Sequence, residues 1–308
     1  MSGISTNRTN ISLPSDVSQE IIQKTIQASA VMTLGRQIAL PGRGVVIPVI
    51  TSDPSASWVD ETDAKPVGNP GLSTKNMQAY KLAIIEPFSN EFRRDARALY
   101  DALVQRLPMI LAKQFDATVV GAVVKPGANF DNLAAATAQS LKATVSPAHS
   151  TYDGLVAAYQ DIAEHGAMLN GFALSPSAQG MLLGATDSTG RPLFINSAAD
   201  GAVPVILGAR TVAATGMFKA GTAAAGSDAG TPDVIGVAGD WTKALWGTVE
   251  GVQIDISDQA TLTYTIGTET VNVNLWQRNM FAVRAEIECG FRCDVNAFNL
   301  LTGSVPES

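Results

Sequence analysis

The residue types that most often carry chemistry are few in this chain and badly spaced for it. His149 and His165 are its two histidines, and neither has a carboxylate or cysteine at metal-ligand spacing. They read as solvated or capping side chains. Cys289 and Cys293 stand four apart. On an extended strand that is about 13 Å, too far for a disulfide, so they read as buried or half-buried thiols. "GATDSTGRP", residues 184–192, imitates a phosphate loop but lacks its Gly-Lys-Ser/Thr ending. No Gly-x-Ser-x-Gly elbow occurs. Neighbouring acids such as Asp60 and Glu61 read as solvating charges. The sequence therefore predicts no catalytic residue, no metal site and no cofactor, and an ordinary enzyme is a poor reading of it.

With 308 residues the chain can bury one large core or two smaller ones. Only 16% of it is charged and 46% is hydrophobic, a balance that leaves surface to be covered by other molecules. A net charge of -7 argues against gripping DNA phosphates over the whole surface. No window is apolar for long enough to span a membrane. "MSGISTNRTNISLPSD" lacks the apolar centre of a signal peptide and reads as a polar arm, disordered at first. The expected site of synthesis is the cytosol.

One stretch has no place in such a chain's own core. "VITSDPSASWVDETDAKPVGNPGL", residues 49–72, sets Trp58 among charged residues between turn formers. The elements around it can be read from periodicity. Val17, Ile21, Ile22, Ile26 and Ala30 predict a helix within 14–36, capped by Ser15 or Asp16. "IALPGRGVVIPVI" and "MQAYKLAIIEPFS" (77–89) read as extended, and predict a hairpin with the long polar stretch as its tip. Residues 89–123 predict a spine-like helix on Phe92, Ala96, Leu99, Leu103, Leu107, Ile110 and Phe115, with a kink or break at Pro108.

Residues 124–250 read as shorter elements of a compact α/β unit. Ser150 and Asp153 form a capping box there, Gly166 a helix stop, and low-complexity 216–231 a mobile segment. Finally, "FAVRAEIECGFRCDV" is apolar at every odd position from Phe281 to Val295. Its even positions from 284 carry Arg284, Glu286, Glu288, Gly290, Arg292 and Asp294. That alternation predicts one long strand with a core face and a charged face.

The ordered set of "LPGRGVVIPVITSDPSASWVDETDAKP", a long helix ending "FDATVVGA", "LSPSAQGMLLGATDSTGRPLF" and "AGDWTKALWGTVEGVQIDIS…NLWQRNMFAVRAEIECGFRCDVNAFNLLT" resembles the tailed-phage major capsid proteins of the Hong Kong 97-like fold. The resemblance implies an α+β fold of six regions. These are an N-terminal arm (1–44), an extended β-hairpin loop (45–85), the peripheral domain's spine helix (86–125), an α/β axial domain (126–250), the peripheral strands (251–294) and a C-terminal return to the axial domain (295–308).

It further implies self-assembly into pentamers and hexamers of an icosahedral head built in the host cytoplasm. That head would enclose double-stranded DNA without sequence-specific binding, alongside a scaffolding protein, a portal and a decoration protein, with no membrane. Trp58, Asp60, Glu61, Asp63, Lys65, Arg284, Glu286 and Arg292 would then lie at subunit interfaces. The type member joins subunits by a lysine–asparagine bond helped by a glutamate. Asn279 and Glu286 stand where two of those groups would, and Lys65 or Lys75 could supply the amine, although non-covalent contact is the better reading. An encapsulin-type shell protein and a soluble α/β hydrolase or binding module are the alternative readings.

Overall fold

Ser29 divides the first helical stretch in two, giving α1 (Ser15–Ala28) and α2 (Ala30–Leu34). Its extended backbone breaks the helix, and its hydroxyl accepts from the Met32 amide as an N-cap. This is a computed structural model, and it describes residues 15–306 except 53–56, 61–64, 66, 68–70, 92–95, 146–147, 187–190, 195–204, 226–228, 250 and 267–268.

After β1 (Arg36–Gln37) come β2 (Val45–Ser52), β3 (Gly71–Met77), β4 (Tyr80–Ser89) and α3 (Ala96–Val120). The next elements are β5 (Thr137–Ser140), β6 (Thr144–Val145), β7 (Ala148–His149), α4 (Thr151–Glu164), β8 (Gly171–Leu174) and α5 (Pro176–Leu183). They are followed by β9 (Val205–Ile206), β10 (Ala209–Ala213), β11 (Val234–Gly239) and β12 (Ala244–Thr248). The chain closes with β13 (Gln253–Ser257), β14 (Thr261–Ile266), β15 (Glu269–Asn274), β16 (Met280–Cys293) and β17 (Phe298–Thr302).

Two large sheets organise these elements. In one, β16 pairs along one edge with β4, and along the other with β13 and then β12, which in turn holds β1. Its apolar face meets α1 and α3 through Ile21, Leu107, Leu111, Phe281, Val283 and Ile287. The other sheet has six strands in the order β5-β17-β11-β8-β10-β9, so the chain's last strand lies well inside it. It packs on α2, α4 and α5 through Leu155, Ile162, Phe172, Leu182 and Leu301. β12, within the stretch expected to be axial, joins the first sheet.

Four sequence expectations change. The hairpin partner of β2 is β3, from Val45↔Met77 to Ser52↔Gly71, and not residues 77–89, which run as β4 beside β16. "GLSTKNM" has no apolar alternation to announce a strand, because this pairing rests on backbone hydrogen bonds and buries Met77 alone among its described side chains. The spine helix does not extend back to residue 89, since Ser89 ends β4 and Asn90 and Glu91 form a turn; it is described from Ala96, and residues 92–95, Phe92 among them, lie outside the described residues.

That helix also runs through Pro108 without a break. An interior proline costs about 3 kcal/mol. Burying Leu107, Leu111 and Phe115 returns about 1.5–3 kcal/mol for each side chain, so packing prevails. Lastly, the described part of low-complexity 216–231 is tied back by bridges Lys219↔Val234 and Thr222↔Thr231.

Other local signals hold as read. Ser150 and Asp153 make the capping box of α4, and Gly166 follows with φ +70. One buried contact joins the arm to the spine. Asp116 of α3 accepts from the Ser29 hydroxyl at 2.6 Å and from the Ala30 and Val31 amides at 2.9 and 3.3 Å. Burial pushes its carboxyl up to about 7, against the pull of those three hydrogen bonds.

Candidate assembly interface

β2 and β3 form a two-stranded sheet of their own, and an isolated ribbon of that kind is marginal in water. Its base is therefore what holds it. Gly44 makes the entry turn at φ +85, where a Cβ would come within 2.6 Å of the Met77 carbonyl. Met77 is fully buried beneath it. Toward the tip, none of the described residues is covered. Trp58 is 103% exposed, and Val67 is 96% exposed. Ser57, Val59, Asp60 and Lys65 are exposed with them, and Lys65 retains a polar interaction. Glu61 and Asp63 lie outside the described residues.

Arg292 corrects the picture of an open charged face on the long strand. It is buried beside the ribbon base, donating to the Asn76 carbonyl through Nε at 2.7 Å and also through one terminal nitrogen. It further reaches Asn129 at 2.9 Å and Asp131 at 2.6 Å. Asp131 in turn accepts from the Cys293 amide, and Lys75 donates to the Cys293 carbonyl at 2.8 Å. The loop at 128–131 comes back over the end of β16 and converts a surface position into an internal staple. Alternation along a strand cannot reveal a covering loop that arrives from elsewhere in the chain.

Farther along β16 the charged face is only partly open: Arg284 is exposed and Glu288 half-buried, while Glu286 is mostly covered. Arg284 donates to Asp255 at 2.5 Å and lies 3.4 Å from Glu286. The hydrogen bond to Asp255, with Glu286 beside it, pushes the guanidinium up from its ordinary value. Lys81 on β4 approaches Glu286 and Glu288 at 3.8 and 3.4 Å. All of these partners lie within the one subunit.

The cross-link candidates are spread over the whole length of the strand. Lys75 stands at the Cys293 end. Asn279, with φ 53, precedes the Met280 end and accepts from Asn90 Nδ2 at 2.8 Å. Glu286 lies between them, and one subunit does not bring the three together. Both cysteines are free and buried, and burial pushes the Cys289 thiol up to about 12. Among the described residues no cluster of three His, Cys, Asp or Glu could hold a metal. No described helix is long and apolar enough to cross a membrane. Trp276 was missed, although it is 75% exposed after β15. Its setting in "NLWQRN" carries the same signal as Trp58, an aromatic among polar neighbours.

Over residues 10–303 the sequence matches the phage capsid family. The chain belongs to that family. This capsid protein is 31% identical over 300 residues to the probable major capsid protein gp17 of Mycobacterium phage L5, covering 94% of this chain and 89% of that one. It shares its fold with a solved structure from Gordonia phage Cozz, with a TM-score of 0.63 at 23% identity, covering 90% and 87% of the two chains. It shares it also with the capsid of the native GTA particle, with a TM-score of 0.58 at 14% identity, covering 99% and 96%. The fold is the Hong Kong 97-like one expected.

Proposed function

We infer that this major capsid protein closes an icosahedral head by associating with itself into pentamers and hexamers, each ribbon lying on the next subunit. The observation that carries this reading is the bare ribbon tip. A fully exposed tryptophan and a nearly fully exposed valine offer apolar surface whose burial against another molecule is favourable, and aromatics are preferred anchors there. Obligate partners are supplied most simply by further copies of the chain. Asp60, Glu61, Asp63 and Lys65 flank the tip residues and can meet charges across the seam. Trp276, exposed at the far end of the long-strand sheet, suits a second seam.

The head encloses double-stranded DNA without reading its sequence, in keeping with a net charge of -7. A scaffolding protein and a portal act with it during assembly in the host cytoplasm. Electron microscopy and light scattering of the purified chain test the reading. Closed shells, pentamers or hexamers are expected, and a strictly monomeric species across concentration and salt would overturn it.

Subunits are held without covalent bonds. Lys75 already donates to a carbonyl and faces Asp131 at 3.7 Å, while Asn279 is engaged by Asn90. Mature particles boiled in detergent are expected to run as one band at the 32.1 kDa of the chain. A ladder of linked subunits that survives reductant would show that a lysine–asparagine bond forms after all.

A further inference from the structure

The first helical stretch divides its burial between two cores, and the division falls at Ser29. Ile21 of α1 lies beneath the long-strand sheet with Leu107 and Leu111 of α3. Ala30, Val31, Met32 and Leu34 of α2 lie in the core of the six-stranded sheet. The bend between them redirects backbone donors. The Ser29 and Thr33 amides still donate four residues back, to the Thr25 and Ser29 carbonyls at 3.1 Å each. Between them, the Ala30 and Val31 amides donate to Asp116, and the Met32 amide to the Ser29 hydroxyl at 3.1 Å. In an unbent helix the same donors would meet the carbonyls of Ile26, Gln27 and Ala28. The chain thus has two ways to satisfy them, and Asp116 selects the bent one.

Asp116 can hold the bend in either protonation state. Ionised, it accepts from the hydroxyl and both amides. Protonated on Oδ1, it donates to the Ser29 hydroxyl across the same 2.6 Å, and both amides keep their acceptors. What differs is the cost of the charge. Asp116 is wholly buried, and the elements around it bring no cation to it. Residues 25–34 contain no ionisable side chain. The turn at Gly216, where an added Cβ would come within 2.7 Å of Asp116 Cβ, contains none from Ala214 to Met217. Lys113, nearly one turn back on α3, is exposed, and Arg210 of β10 donates to the Thr33 carbonyl at 2.7 Å. Lys24 and Lys219 stand beyond these stretches. A buried carboxylate without a cation is costly, in keeping with a carboxyl pushed up to about 7.

We propose that the bend at Ser29 is a latch worked by the proton on Asp116: the neutral carboxyl holds α1 against α3, and the ionised one lets α1 swing away. α1 is the half that moves. Among its described side chains only Ile21 and Thr25 are fully buried, whereas Ala30, Val31, Met32 and Leu34 of α2 all are. Swinging away gives the carboxylate to water, where its ordinary value of 3.8 returns. The latched form therefore binds the proton more tightly. Its advantage is full below that ordinary value and is lost as pH rises through about 7. The latch lies within one subunit and does not depend on the assembly reading above.

Spin labels at Gln23→Cys on α1 and Gln114→Cys on α3, both exposed positions, report the swing in the full chain. Gln23 lies about 9 Å from the bend along its helix, enough to move a label measurably. Cys289 and Cys293 are buried with their thiols pushed up and do not take the label. From about pH 5.5 to about pH 8.5, either side of the carboxyl's value of about 7, a second population at longer label distance is expected to grow. Asp116→Asn cannot ionise and is expected to keep the short distance throughout. An unchanged distance in the chain with Asp116 would overturn the proposal. So would lengthening that persists in Asp116→Asn, because another group would then be titrating.

If Asp116→Asn does not fold, infrared spectroscopy of the chain with Asp116 decides. A protonated-carboxyl band is expected at the acid end and should disappear over the same pH interval in which the label distance lengthens. Absence of that band, or its loss in a different interval, would equally overturn the latch.

Discussion

Trp58→Ala is expected to leave the isolated subunit's melting nearly unchanged while lowering the temperature at which shells fall apart. In the subunit the indole is wholly exposed, and substitutions at such positions usually move stability by less than about 0.5 kcal/mol. At an interface an aromatic anchor is worth about 2 kcal/mol or more, and a shell repeats the loss at every seam. Deleting residues 53–70 and joining β2 to β3 by a short turn should act more strongly. The paired strands Val45–Ser52 and Gly71–Met77 remain, so the fold survives, since surface loops are cheaply shortened. Shells should fail to form. The measurement is paired: thermal unfolding of unassembled subunits beside thermal disruption of particles. Equal losses in both would make Trp58 a residue of the subunit's own core and end the interface reading.

Arg292→Met should have the opposite profile, with its damage inside the subunit. The substitution keeps much of the stem but strands Asp131, which is 17% exposed, without its guanidinium. It also leaves Asn129 and the Asn76 carbonyl without their donor. Breaking one side of a buried ion pair costs about 3–5 kcal/mol. Urea unfolding of unassembled subunits should therefore show a lower midpoint at an unchanged slope. Combining it with Asp131→Asn should recover part of the loss, because the carboxylate left with only the longer Lys75 contact at 3.7 Å is then removed, and Asn can still accept from the Cys293 amide. A cost below about 1 kcal/mol for the single variant would class the pair with ordinary surface ion pairs. The staple would then not be what holds the ribbon base to the sheet.

Arg284 and Arg292 stand on the same face of the same predicted strand, eight residues apart, and nothing in the alternation distinguishes them. One keeps its charge near solvent with Asp255 and Glu286, and the other is covered by residues 128–131. The difference is made by a loop more than 160 positions away in the chain. Trp58 was legible for the contrary reason. A large aromatic set in a run of charge and turn formers has no local element to join, so its neighbours in sequence already say that it stays out of the subunit's own core.

By itself, the sequence determined whatever depends on period and on local hydrogen bonding. The apolar stripe of α3, the capping box at Ser150, the stop at Gly166 and the odd-position face of β16 each rest on residues a few positions apart. It also determined the family, because that order of segments is carried along the chain. The tertiary structure alone decided which strands lie side by side. It gave β4 to β16 in place of the ribbon, set β17 inside the six-stranded sheet, and kept α3 whole across Pro108. Pairing of distant strands depends on backbone groups that every residue possesses, so composition carries little sign of the partner. Likewise, burial gathered from several elements can outweigh a local break of about 3 kcal/mol.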